Sequence, residues 1–167
     1  MRRTAHLVAL GASLALVWAA SAAVASAGGV CALDTEPNDT PATAELILAP
    51  VSGTLSATDT LDVYRVATAP GESLEARLTH DFASDGSGDF DLYLFAPFTA
   101  DVGDFADALT FSAAGPPVSS EYFRYRIPGA GEYYVVVRGF ETTAEVVGYD
   151  LTVALDDAPA PLSGIER

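Results

Sequence analysis

A chain of 167 residues with 23 acidic side chains, eight arginines and no lysine carries a formal charge of −15. That field repels phosphate backbones, which excludes nucleic acid as a partner class. A single cysteine, Cys31, excludes an internal disulfide, and Cys31 with His80 makes no zinc set.

In chain order, Arg2, Arg3 and His6 precede the apolar run from Leu7 to Ala20, and Ala25-Ser26-Ala27 closes it. This is the charged, apolar and small-residue pattern of a secretory signal, with cleavage expected after Ala27. Residues 1–27 are therefore read as a signal peptide, and the protein as secreted and extracellular, with no stable membrane insertion after cleavage. Gly28, Gly29 and Val30 fit a lipoprotein signal badly, so no lipid anchor on Cys31 is expected. All 23 acids fall after the signal, against six arginines. Residues 28–40 read as a leader without period, rich in Gly, Ala, Thr, Pro, Asn and Asp. Ala42–Leu48 is open between a helical turn after Pro41 and an edge segment.

A β-domain is expected over residues 41–156, followed by a tail over 157–167. Val51–Ser56 reads as a short strand ending at the polar Ala57–Thr60 turn. Asp62–Ala67 has period two, placing Val63 and Arg65 on one face and Tyr64 and Val66 on the other. Pro70-Gly71 marks a turn. Leu74, Ala76 and Leu78 alternate with Glu75 and Arg77; after a loop rich in Asp, Ser and Gly, Phe90, Leu92 and Leu94 alternate with Asp91, Tyr93 and Phe95. Phe98–Gly115 is the least defined stretch, with a candidate strand at Ala108–Ser112. Tyr122–Ile127, Glu132–Arg138 and Gly148–Leu155 complete the set. The connections Ala69–Glu72 and Pro128–Gly131 are too short for parallel crossovers. Seven or eight short strands without a long helix predict an all-β antiparallel sandwich of about eight strands. Leu74, Leu78, Leu92, Leu94, Tyr125, Val135, Val137, Leu151 and Val153 are expected mostly inside.

No catalytic constellation stands out, and the chain is read as a non-enzyme. Ser84 and Ser87 lie near His80 and Asp81, but no Gly-x-Ser-x-Gly elbow occurs. Gly86-Ser-Gly88 lies between Asp85 and Asp89, the wrong field for a phosphate. The chemistry that survives is cation binding. Asp34, Glu36, Asn38 and Asp39 offer carboxylate and amide oxygens, and Asp59 and Asp62 follow after one strand. Calcium takes six to eight such oxygens. In an extended segment residues 34, 36 and 38 turn to one side, and Pro37 stiffens it. The two groups are expected to close around one Ca²⁺ and pin the leader to the sandwich. The bland alternative leaves Asp39 and Asp59 as turn or cap residues. An EF-hand is excluded, since Asp39 stands where its glycine is required.

The chain resembles the bacterial pre-peptidase C-terminal domain family, itself similar to the collagen-binding domains of collagenases. The resemblance rests on Glu36-Pro-Asn38-Asp39, Gly53-Thr-Leu, Asp59, Asp62-Val-Tyr, Pro70-Gly71, Asp89-Phe-Asp91-Leu-Tyr-Leu, Tyr125–Gly131, Tyr133-Tyr-Val-Val-Val and Tyr149-Asp-Leu-Thr-Val. It implies a jelly-roll-like sandwich, an accessory module of secreted peptidases, and a calcium clamp drawing Asp34, Glu36, Asn38, Asp39, Asp59 and Asp62 together, with Thr54 as a further oxygen donor. Here the expected layout sets the module directly behind a signal, without a peptidase domain between. Two partner classes follow: an extracellular protein or polysaccharide bound by the module, or a secreted enzyme docked in trans. The only tryptophan, Trp18, leaves with the signal, which weakens a carbohydrate platform.

Overall fold

The computed structural model describes residues 31–82, 88–141 and 145–156. The signal peptide, the tail after Asp156, and Ser84 and Ser87 lie outside the described residues. Among the described residues, ten strands form two five-stranded sheets. They are β1 (Ala32–Leu33), β2 (Glu45–Leu46), β3 (Val51–Leu55), β4 (Leu61–Thr68), β5 (Ser73–His80), β6 (Asp89–Phe95), β7 (Thr110–Ser112), β8 (Ser120–Arg126), β9 (Gly131–Glu141) and β10 (Val147–Asp156). One sheet runs β1-β3-β10-β5-β8, the other β2-β4-β9-β6-β7. The eight strands β3–β10 pair only antiparallel with one another, as expected for an all-β sandwich.

The main core lies between the sheets. Alternation delivers it: Leu74, Ala76 and Leu78 from β5, Tyr64 and Val66 from β4, and Leu92 and Leu94 from β6 all turn inward. Of the residues expected inside, Tyr125 and Val153 are only partly buried and the other seven are buried. The turn at Pro70-Gly71 forms as read, with Gly71 at φ 85° and Glu72 N–H donating to the Ala69 carbonyl at 3.4 Å. β6 is covered on both faces, and all seven of its residues are buried. Residues 96–108 fold over the outer face of this sheet. Val102 joins Val63, Tyr93, Phe95 and Val136 in a second apolar cluster, flanked by Phe105 on a one-turn 3-10 helix (Phe105–Asp107).

The leader lies against the sandwich: it pairs with the edge of one sheet, and the segment that follows it pairs with the edge of the other. β1 runs parallel to β3, with Ala32 N–H donating to Pro50 O at 2.9 Å and Asp34 N–H to Ser52 O at 3.1 Å. β2 runs parallel to β4, with Ile47 N–H donating to Arg65 O at 3.2 Å. These are edge pairings of one linker, not crossovers, and they decide Ala42–Leu48 in favour of an edge segment. The linker thus passes from the edge of one sheet to the edge of the other and closes that side of the sandwich.

Candidate metal centre

Where the linker crosses, the chain bends at Glu36, Asp39 and Thr40. The bend brings Glu36 and Asp39, rather than an alternating 34-36-38 row, to Asp59 and Asp62. One carboxylate oxygen from each of Glu36, Asp39, Asp59 and Asp62 lies within 4.8 Å of the others. Each is positioned by backbone. Asp59 sits in a tight turn between β3 and β4, where Ser56 and Asp59 exchange backbone hydrogen bonds at 2.7 and 3.2 Å. Asp62 lies at the start of β4 on the same inward face as Tyr64 and is fully buried. Asn38 is also fully buried; its carbonyl accepts the Val63 N–H at 2.9 Å, and its own N–H donates to Glu36 Oε2 at 3.1 Å.

The buried polar atoms are unevenly satisfied. Asp62 Oδ2 accepts the Tyr149 hydroxyl, which also lies 2.6 Å from the Tyr64 hydroxyl. Asp62 Oδ1 and both side-chain polar atoms of Asn38 have no hydrogen-bond partner. A buried oxygen without a partner costs about 1–3 kcal/mol. Burial, and then the charges of Glu36, Asp59 and Asp34, push Asp62 up to about 8 despite the Tyr149 hydrogen bond. Burial, followed by Glu36 and Asp39, pushes Asp59 up to about 6. Burial also raises Glu36. These shifts are first the cost of burying carboxylates and then of gathering them without a counter-charge, and a divalent cation offsets both. The donor set is all oxygen, carboxylate and amide, which suits a hard cation.

Two residues expected in the site are not among these four carboxylates. Asp34 is half-buried against them, raised by burial and then by Glu45, and its Oδ2, turned toward Gly53, is a further buried oxygen with no hydrogen-bond partner among the described residues. Thr54 is exposed, and its register places it on the opposite face of β3 from Gly53, away from Tyr149 and Asp62. Turn formation and site formation coexist at Asp59: its backbone closes the turn while its carboxylate joins the cluster. Two hydroxyls escaped sequence reading, those of Tyr64 and Tyr149. Period two already puts Tyr64 beside Asp62, but nothing local points to Tyr149, which is 85 residues from Tyr64.

The Tyr149 ring lies across Gly53, its partner in register. A Cβ at Gly53 would overlap the Tyr149 hydroxyl and stand 2.7 Å from Asp34 Oδ2. Gly53→Ala is therefore expected to displace Tyr149 from Asp62 and to cost about 1–3 kcal/mol in denaturant unfolding.

His80 is a core residue here. It is buried, stacks on Phe90 at 4.9 Å, and its Nδ1 meets the Asp81 carbonyl at 2.8 Å.

Residues 52–139, more than half of the chain, match the model of the bacterial pre-peptidase C-terminal domain. The chain belongs to this family. The matched part of the pre-peptidase C-terminal domain contains Asp59 and Asp62, whereas the linker acids lie ahead of it. The structure is similar to the pre-peptidase C-terminal domain of a collagenase from Bacillus anthracis, at 20% identity and TM-score 0.46, over 72% of this chain and 100% of that one. It is also similar to PliG of Aeromonas hydrophila, a periplasmic inhibitor of g-type lysozyme, at 18% identity and TM-score 0.48, over 65% of this chain and 85% of that one. No curated protein matches the chain. Bacterial pre-peptidase C-terminal domains are non-catalytic accessory domains.

Proposed function

We propose that this chain is a secreted, non-catalytic module whose linker is clamped to its sandwich by one Ca²⁺, and that it binds an extracellular protein or polysaccharide. The observation that carries the clamp is the meeting of four carboxylates, among them Asp62 with a buried oxygen that has no partner; Asn38, whose backbone N–H bonds Glu36, has a buried side chain that also lacks one. Glu36, Asn38, Asp39, Asp59 and Asp62 supply the oxygens, and Asp34 stands beside them as a sixth acidic or amide residue. Magnesium suits the group less, since it prefers a tight octahedron and keeps its waters. The clamp joins two segments that the chain leaves marginal on their own: β1 and β2 have two residues each. Holding them shut covers one open side of the core.

Titration calorimetry tests the metal reading. One calcium per chain is expected, with magnesium giving little heat at equal concentration; no heat at millimolar calcium contradicts the clamp. For the partner, retention of the purified protein on insoluble collagen, chitin or cellulose is compared with retention of secreted proteins from culture medium. Saturable binding to a polymer supports the binding module, while capture of only a secreted enzyme moves the reading to docking in trans.

A further inference from the structure

Asp59 and Asp62 lie where β4 begins; where β4 finishes, the opposite end of the sandwich carries three connections without charge. Residues 67–71, 96–100 and 127–131 hold no acidic or basic side chain, in a chain of charge −15. The three connections are contiguous. Gly71 N–H donates to Ile127 O at 2.7 Å, and Ile127 N–H to Glu72 O at 2.8 Å. Pro97 packs so closely on Gly131 that a Cβ there would stand 2.5 Å from the Pro97 Cγ. Ala69, Pro70, Phe98, Ala100, Pro128 and Ala130 are all exposed.

Phe98 is the outlier of this end. Its side chain is 95% exposed, more than any other large apolar side chain among the described residues. Its φ of 68° is the one positive value at a non-glycine residue there. A bulky residue is rarely held in the left-handed region, and such strain gathers at functional sites. The turn is braced to hold it: Thr99 N–H and Thr99 Oγ1 both donate to Ala96 O, at 3.4 and 2.9 Å. The end is also fitted to leave water, where an unbonded backbone group is costly. Pro70, Pro97 and Pro128 have no N–H, and the N–H groups of Ala69, Gly71, Thr99 and Ile127 are bonded within the end. The bordering acids are engaged. Glu72 Oε2 accepts the Ala69 N–H at 2.7 Å, and Glu132 pairs with Arg65 at 2.6 Å. Arg126, the last residue of β8, stands exposed at the border.

We propose that this end docks reversibly on a zwitterionic lipid surface, with the Phe98 ring as the inserted anchor and the three connections at the interface. Charge selects that occupant. An acidic chain approaches a net-neutral surface without repulsion, whereas a second copy or an anionic membrane repels it. Arg126 at the border faces the lipid phosphates. A protein interface typically carries a hydrogen bond per 100–200 Å² or so; connections built on proline and internally bonded N–H groups offer few, and a lipid interface needs few. The proposal is independent of the cation site, which lies at the other end of β4.

The test is flotation of the secreted protein, without residues 1–27, with vesicles of phosphatidylcholine or of phosphatidylglycerol, in EDTA so that no cation bridges acid to lipid. Saturable binding to phosphatidylcholine is expected, and weaker binding to phosphatidylglycerol. Phe98→Gly should weaken it by about ten-fold or more while melting no lower than the native protein, since glycine adopts this φ freely. Phe111→Ala, which removes a ring 61% exposed on β7, should leave it unchanged. The only tryptophan, Trp18, is gone with the signal, so Phe98→Trp places a single reporter at the tip. Its fluorescence should be quenched by phosphatidylcholine brominated on the acyl chains. Binding that Phe98→Gly does not weaken, a reporter that brominated lipid does not quench, or tighter binding to phosphatidylglycerol overturns the proposal. No binding to either vesicle overturns it and leaves this end to a protein partner. A dimer in sedimentation velocity that Phe98→Gly dissociates overturns it in favour of a second copy.

Discussion

Saturating calcium should raise the melting temperature by on the order of 10 °C at pH 8 and by much less at pH 5. The size follows from mass action: a ligand at about a hundred times its dissociation constant adds about 2.7 kcal/mol to a native state that alone binds it. The pH dependence follows from the cluster. Asp62 rises from the usual 3.8 to about 8 and Asp59 to about 6 in the folded chain, chiefly by burial and then by their acidic neighbours. Their folded values lie above the unfolded ones, so between about pH 4 and 8 the cation-free fold holds more protons than the unfolded chain. This contribution stabilises the cation-free fold at low pH and is lost as pH rises through 6 and then 8. Calcium needs the same carboxylates ionised, so protons compete with it. The increment between calcium and EDTA, measured by calorimetric melting at each pH, should therefore grow from pH 5 to pH 8. An increment that is flat, or larger at pH 5, contradicts a carboxylate clamp.

The double substitution Asp59→Asn with Asp62→Asn should abolish that increment and leave the sandwich folded. Asn at position 62 still accepts the Tyr149 hydroxyl, and the backbone pairing of β4 with β9 and the apolar side chains of the main core are unchanged. The clamp alone is lost. Its loss should appear in the linker, where β1 and β2 are tied to β3 and β4 by a few edge hydrogen bonds. Cleavage within residues 31–50 by a protease of broad specificity should be about a hundred-fold slower in calcium than in EDTA for the native protein, since opening must first release the ion. The variant should be cut at the fast rate in both. A variant still protected by calcium would assign the ion elsewhere.

The strands were legible because their burial is periodic and local. Tyr64 and Val66, or Leu74, Ala76 and Leu78, show in their own segments which face is covered. The cover on the outer face of β6 was not legible, because the covering residues, Val102 and Phe105, come from the irregular stretch that follows it. β1 and β2 were hidden for a similar reason. Two residues carry no period, and what makes them strands is the presence of Val51 and Tyr64 alongside.

The site was legible as chemistry and less so as geometry. Glu36, Asp39, Asp59 and Asp62 are visible as oxygen donors on either side of one strand, and they do meet. Which linker acids join depends on the bends at Glu36 and Asp39, which bring Asp39 in and leave Asp34 beside the group. Thr54 came from family resemblance, and the register of β3 turns its side chain outward. The orientation of Asp62 depends on Tyr149, brought close only by the pairing of β3 with β10.

The most direct test is anomalous diffraction from crystals grown in calcium chloride. The account predicts one calcium peak at the linker crossing, with oxygens of Glu36, Asn38, Asp39, Asp59 and Asp62 at about 2.3–2.6 Å from it. Crystals grown in millimolar calcium that show no ion there, with the four carboxylates spread apart or bridged only by water, would contradict it.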